Sequence, residues 1–208
     1  MLFFNDPAAI VGILVALVVG LTFHEFSHAF VADQLGDHRP RALGRVSLNP
    51  VHHIDPMGAV MLVLVGFGWA KPVPVNPAAL RPGRRAMSVV AAAGPVANVV
   101  VAVLAAIIFR ALDAAGIGGF ALSAAGFTIL FNFVLAIFNL LPIPPLDGYN
   151  VVLPFLSPRL AMQVQRNAQY GMYLLLGLIL ISYLTPGPGP LAWIFSIADF
   201  FTRLLIGA

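Results

Sequence analysis

Two histidines four residues apart, His24 and His28, lie inside an apolar stretch reading Phe23-His24-Glu25-Phe26-Ser27-His28-Ala29-Phe30. On a helix this spacing stacks both imidazoles on one face, a turn apart. Imidazoles so placed can share one zinc ion, and Glu25, about 100° around the helix, can reach a metal-bound water as general base. The bare pattern is a weak signal, expected by chance in about a few per cent of chains this long; its apolar setting makes it informative. A charged group at the centre of a membrane helix costs roughly 2.5–3.5 kcal/mol on insertion scales, so ionisable residues there mark functional sites. Three occur in this run, and Glu25 is the only glutamate in the chain. The bland alternative is a polar cluster that bridges helices.

A hydrolytic zinc site takes three protein ligands and keeps one position open. The soluble solutions fail on inspection. A second glutamate does not exist, and the metzincin extension needs Gly and His where the chain has Val31 and Gln34. With no cysteine in the chain, a thiolate ligand or nucleophile is excluded. Asp33 is five residues past His28 and points away from the ligand face. Asp6, Asp113 and Asp199 fall near the wrong segment ends. The third ligand is then one of Asp37, His38, His52, His53, Asp55 and Asp147. Asp147 stands out because it follows Leu140-Leu141-Pro142-Ile143-Pro144-Pro145-Leu146, whose prolines break a helix and can turn the aspartate back inward. Read plainly, Asp147-Gly148 is a turn.

These residues need elements to hold them, and composition says what kind. Of 208 residues, 60% are hydrophobic and 9% charged, against about 25% charged in ordinary soluble domains. A soluble monomer could not cover itself with so few charges. Apolar runs predict spans at about 8–32, 87–112, 120–141, 170–184 and 191–206, interrupted by Pro144-Pro145 and by Pro186-Gly187-Pro188-Gly189-Pro190. In lipid such a bundle is helical. The expected fold is therefore an all-α polytopic membrane protein with about five transmembrane helices. The apolar segment Gly58–Ala70, with glycines at 58, 66 and 68 ahead of Lys71-Pro72-Val73-Pro74-Val75-Asn76-Pro77, reads as a re-entrant or interfacial β-like hairpin; a sixth short helix is the alternative. The opening MLFFNDPAAI lacks a basic start, so the first run is expected to be retained as a span, not removed as a signal peptide. One membrane-embedded domain over 1–208 is expected, with a catalytic core at about 8–150 and a C-terminal helix pair at about 170–206.

The net charge of +3 comes from 11 basic against 8 acidic residues, too small a surplus to suggest nucleic acid. It reads as orientation. If the hairpin returns to its own side, Arg39, Arg41, Arg45, Lys71, Arg81, Arg84, Arg85, Arg159, Arg166 and Arg203 share a face, and Arg110 alone lies opposite. That face is expected to be cytoplasmic and the N-terminus outside, in the cell membrane.

The chain resembles the site-2 protease family of intramembrane zinc metalloproteases. The first family motif matches His24–His28. The second, NxxPxPPLDG, matches Asn139-Leu140-Leu141-Pro142-Ile143-Pro144-Pro145-Leu146-Asp147-Gly148 at every specified position. The stretches from Leu48 to Pro56, Gly66 to Pro77 and Ala93 to Asn98 are similar to the compact prokaryotic branch. The resemblance implies that His24, His28 and Asp147 hold Zn2+, that Glu25 is the catalytic base, and that the substrate is a transmembrane protein in the lipid bilayer. The chain is expected to depart from better-known members in having no helix before the zinc-binding one and no PDZ-like or CBS-like domain.

Asn98 and Asn139 are amides in or beside apolar spans, either joining helices or supporting an oxyanion or substrate backbone near the metal. His53 and Asp55 follow the first span and are read as loop residues or as support and gating. His38 and His52 are read as solvated. The hairpin has unpaired edges that could take an unwound substrate by strand addition. The expected activity is hydrolysis of peptide bonds in or near membrane spans, with an unknown regulatory membrane partner. The rivals are an ion- or metal-coupled transporter, weakened by the absence of a repeated ionisable cluster, and a catalytically silent binder of membrane proteins.

Overall fold

The computed structural model describes residues 7–65, 68–81, 83 and 85–207. Three helices are long and apolar enough to cross a membrane: α1 (Pro7–Gln34), α4 (Ala86–Ala114) and α5 (Phe120–Asn139). Each begins and ends within about two residues of the span read from hydropathy, because Gly and Pro punctuate both ends. Between them lie a short α2 (Arg39–Ala42) and α3 (Pro56–Val65); after them come α6 (Asp147–Val152), α7 (Pro158–Arg166), α8 (Gly171–Leu184) and α9 (Ala192–Ile206).

The three long helices pack on one another through small residues. Ala102, Ala105 and Ala106 of α4 meet Ile129 and Phe133 of α5 and Ala198 of α9. Without a hydrophobic drive between helices in lipid, close backbone approach of this kind supplies the packing energy. The outer face of α4 carries Val100, Leu104, Ile107 and Ile108, all exposed, as a lipid-facing surface requires.

The helices expected at 170–184 and 191–206 form at Gly171–Leu184 and Ala192–Ile206, 14 and 15 residues long, against about 20 for a bilayer core. Three helices qualify as spans by length, or four when α7 and the 168–184 segment, bent by 45°, count as one. One expectation is corrected, that of the β-like hairpin. The segment expected to be extended is helical over Pro56–Val65. Asp55 accepts a hydrogen bond from the Gly58 N–H at 2.8 Å, and Pro56 occupies the first helical position. Those are start signals for a helix, and they outweigh the glycines. Among the described residues no strand forms; one antiparallel bridge joins Ile54 to Ala70. Gly66 and Phe67 lie outside the described residues.

Candidate metal centre

A five-residue π-turn, Ala16–Gly20, interrupts α1 just before the histidines. Such turns widen a helix and leave a carbonyl for outside donors. The Gly20 carbonyl accepts from Asn98 Nδ2 of α4 at 3.1 Å. That amide also donates to Asn132 Oδ1 of α5 at 3.1 Å, and Asn132 Nδ2 donates to the Thr128 carbonyl. Both Asn98 hydrogens are thereby engaged, so its Oδ1 can only accept, and it receives His24 Nδ1 at 2.7 Å. Asn98 and Asn132 are both fully buried. Asn98 thus joins three helices and fixes a ring; with both hydrogens committed, it has none left for an oxyanion.

His28 is fixed in the same manner. Its Nδ1 donates to the Val90 carbonyl of α4 at 2.7 Å. Both Nδ1 atoms therefore carry a hydrogen, and in the neutral rings that bind a metal both Nε2 atoms present bare lone pairs. These two nitrogens stand 3.1 Å apart.

Asp147 completes the convergence. Its Oδ2 lies 3.1 Å from His24 Nε2 and 3.2 Å from His28 Nε2. The turn after α5 brings it there: Leu146 N donates to the Ile143 carbonyl at 2.9 Å, and α6 starts at Asp147. Gly148 rests on the Leu140 carbonyl, where an added Cβ would stand 2.1 Å from the oxygen. Ser88 Oγ donates to the Val151 carbonyl at 2.8 Å and ties α6 to α4.

Three acceptor atoms facing one another, with no hydrogen among them, repel unless a cation lies between. A tetrahedral zinc with bonds near 2.0–2.1 Å would separate its donors by about 3.3–3.4 Å. The observed spacing and the two-nitrogen, one-oxygen donor set fit that ion. His24, His28 and Asp147 are also the three-residue group whose ligand atoms lie within 4.8 Å of one another among the described residues. Glu25 is buried on the same helix, at 8% exposure.

The other five candidates for third ligand are engaged elsewhere. Asp37 is buried and forked by Arg39 Nε and Nη2 at 2.9 and 3.0 Å, and it accepts the Asn76 N–H at 2.6 Å. The Arg39 guanidinium holds its carboxyl down at about 2. His38 pairs with Asp33 at 3.0 Å, and His52 Nδ1 lies 3.0 Å from the Gly44 carbonyl. Asp55 caps α3. His53 is wholly buried; its Nε2 lies 2.7 Å from the Ser47 carbonyl, and its Nδ1 has no partner among the described residues. Asn139 Nδ2 donates to Leu135 of its own helix at 2.9 Å.

Gly94 and Arg45 are two further positions whose surroundings only the fold shows. The α4 backbone at Gly94 runs so close to the centre that a Cβ would stand 2.4 Å from His28 Nε2 and 2.6 Å from His24 Nε2. The Gly94-Pro95 pair was the available signal. Arg45 is 4% exposed and donates to the carbonyls of His52, Lys71 and Pro72. Nothing in the sequence separates it from the solvated arginines around it.

Asn98→Leu tests the support of His24. It removes the acceptor of the ring N–H and leaves Asn132 Oδ1 without its donor. Loss of such a supporting partner costs about 10- to 100-fold in metal affinity. Competitive titration of zinc against a chelator should show that loss, with the helix content of the purified protein retained.

Comparison with known proteins supplies a family. The model for peptidase family M50 matches residues 113–182, the part that contains Asp147. YwhC of Bacillus subtilis, a candidate zinc metalloprotease by name, is 35% identical over 187 residues, covering 87% of this chain and 84% of its own. Rip2 of Mycolicibacterium smegmatis, named in the same way, is 32% identical over 94% of this chain and 76% of its own. Rip2 of Mycobacterium tuberculosis is 31% identical over 96% and 80%. No solved structure matches. With relatives aligned over nearly its whole length, the chain belongs to peptidase family M50, the site-2 protease family of membrane zinc metalloproteases.

Proposed function

We propose that this protein is an intramembrane endopeptidase that hydrolyses peptide bonds in or near the transmembrane segments of other membrane proteins. The observation that carries this reading is the convergence of Asp147 Oδ2 of α6 with His24 Nε2 and His28 Nε2 of α1, a span-length apolar helix that also carries Glu25. His24, His28 and Asp147 hold the zinc. When bound, zinc supplies Lewis-acid polarisation of a carbonyl and lowers the pKa of a water towards about 7.

The rest is work for the chain. Glu25 takes a proton from the attacking water and returns it to the leaving amine. Asn98 and the Val90 carbonyl keep both imidazoles in the tautomer that leaves Nε2 free. A substrate helix hides its amides, so it must unwind before cleavage, and a protein-enclosed cavity is where exposed backbone is tolerated at that depth. The extended segment Lys71–Asn76 offers the unwound chain a partner by strand addition. The domain works as one unit in the cell membrane, with the basic loops cytoplasmic and the N-terminus outside.

Val73→Pro and Val75→Pro test the strand-addition step, because each removes one edge N–H. In proteoliposomes carrying single-span test proteins with a central Asn-Gly pair, cleavage should fall at least about tenfold, the effect of losing roughly 1.4 kcal/mol of binding. Zinc content should be unchanged. Undiminished cleavage in both variants would remove the segment from the mechanism.

A further inference from the structure

The segment from Lys71 to Asn76 forms neither helix nor turn, and its prolines at 72 and 74 bias Lys71 and Val73 to extended backbone. Residues two apart in an extended chain present their backbone groups on one edge. Val73 and Val75 therefore share an edge, and among the described residues neither makes a backbone hydrogen bond. The opposite edge lacks donors at both prolines. One edge is open, and the segment is held at its two ends.

At one end the holding group is Arg45. It donates to the Lys71 carbonyl and, at 2.7 Å, to the Pro72 carbonyl, while its other terminal nitrogen donates to the His52 carbonyl. Lys71 N also donates to the His53 carbonyl at 2.8 Å. At the other end Asp37 accepts the Asn76 N–H at 2.6 Å, itself clamped by Arg39. Between these anchors, Val75 packs on a cluster that includes Ala32, Ala86 and Val90. Val90 is the residue whose carbonyl holds His28. The edge is thus referenced to the metal centre by packing and to the loop 44–54 by a buried guanidinium.

Burying an arginine without a carboxylate partner is costly unless its donors are met. Here three carbonyls meet them. The desolvation lowers the Arg45 pKa, and the carboxylate of Glu25 lies near enough to oppose that shift.

We propose that Arg45 is a positioning residue that fixes the register of the Val73–Val75 edge relative to Glu25, and so determines which substrate bond is cut. The inference rests on the strand-addition reading above. A guanidinium can bridge two chain segments through a planar fork; an ammonium is a single point charge and cannot reproduce it.

The test compares wild type, Arg45→Lys and Arg45→Gln as full-length protein in proteoliposomes, using the best-cut Asn-Gly test protein. Cut positions are read by mass spectrometry, with kcat, KM and zinc per chain. Arg45→Gln should spread cleavage over neighbouring bonds and lower kcat by about 10²-fold, the effect of a misplacement near 1 Å. Arg45→Lys should fall between, and zinc should stay at the wild-type level in both. A slower enzyme that still cuts at the one wild-type bond, or a variant that has lost zinc, would make Arg45 merely structural and overturn the proposal. If Val73→Pro and Val75→Pro leave cleavage intact, the edge reading fails and the inference with it. If they abolish cleavage while Arg45→Gln cuts as wild type, the inference fails alone.

Discussion

Gly94→Ala is expected to remove zinc binding and activity while leaving the helices folded. The added methyl carbon would stand 2.4 Å from His28 Nε2 and 2.6 Å from His24 Nε2 and Cε1. Those are the donor atoms, and neither ring can yield freely. His24 is held at Nδ1 by Asn98, and His28 by the Val90 carbonyl, each at 2.7 Å. The methyl group therefore intrudes on the space the ion needs, or it breaks a buried hydrogen bond. The fold has less at stake. Overpacking costs about 1–3 kcal/mol, offset by about 1 kcal/mol from the better helix propensity of alanine. Zinc affinity should drop by at least about 100-fold, the upper end for loss of ligand support. Chelator competition and thermal unfolding of the metal-free protein separate the two effects. Wild-type zinc affinity in this variant would show that the α4 backbone does not confine the centre.

Glu25→Gln is expected to do the reverse, keeping zinc and losing turnover. Glutamine preserves shape and burial but cannot take a proton. General acid–base catalysis contributes about 10²–10⁴-fold, and here one group serves both the attack and the departure of the amine. The fall in kcat should lie at or beyond the upper part of that range. Because Glu25 is not among the three converging ligand atoms, zinc stoichiometry should stay at the wild-type level. A variant that keeps more than about a tenth of wild-type kcat would assign the proton transfer to another group.

How far the sequence carried the account differs by residue. The three long helices were legible because a bilayer demands length, and α1, α4 and α5 have it. The last two were legible as helices to within a residue, at Gly171–Leu184 and Ala192–Ile206, but at 14 and 15 residues each is short for a crossing by itself. The hairpin failed for a local reason. Asp55-Pro56 is a helix start, and the glycines at 58, 66 and 68 drew the reading towards extended chain. In the centre, the i, i+4 histidines followed from helix geometry. Asp147 could be shortlisted from its residues but chosen only through the family motif, because its approach to α1 depends on the turn at Ile143–Leu146 after α5. Asn98 was noticed as a buried amide, yet its partner, His24, is 74 residues away. Arg45 was counted among the orienting charges, because a loop arginine is solvated by default and only the folded loops show three carbonyls around it.

The most direct measurement is zinc per chain alongside cleavage of a single-span test protein, in wild type, Glu25→Gln and Asp147→Ala prepared identically. The account predicts one zinc in wild type and in Glu25→Gln, a large loss of zinc in Asp147→Ala, and cleavage by wild type alone. Full zinc occupancy in Asp147→Ala, or cleavage by Glu25→Gln at the wild-type rate, would contradict it.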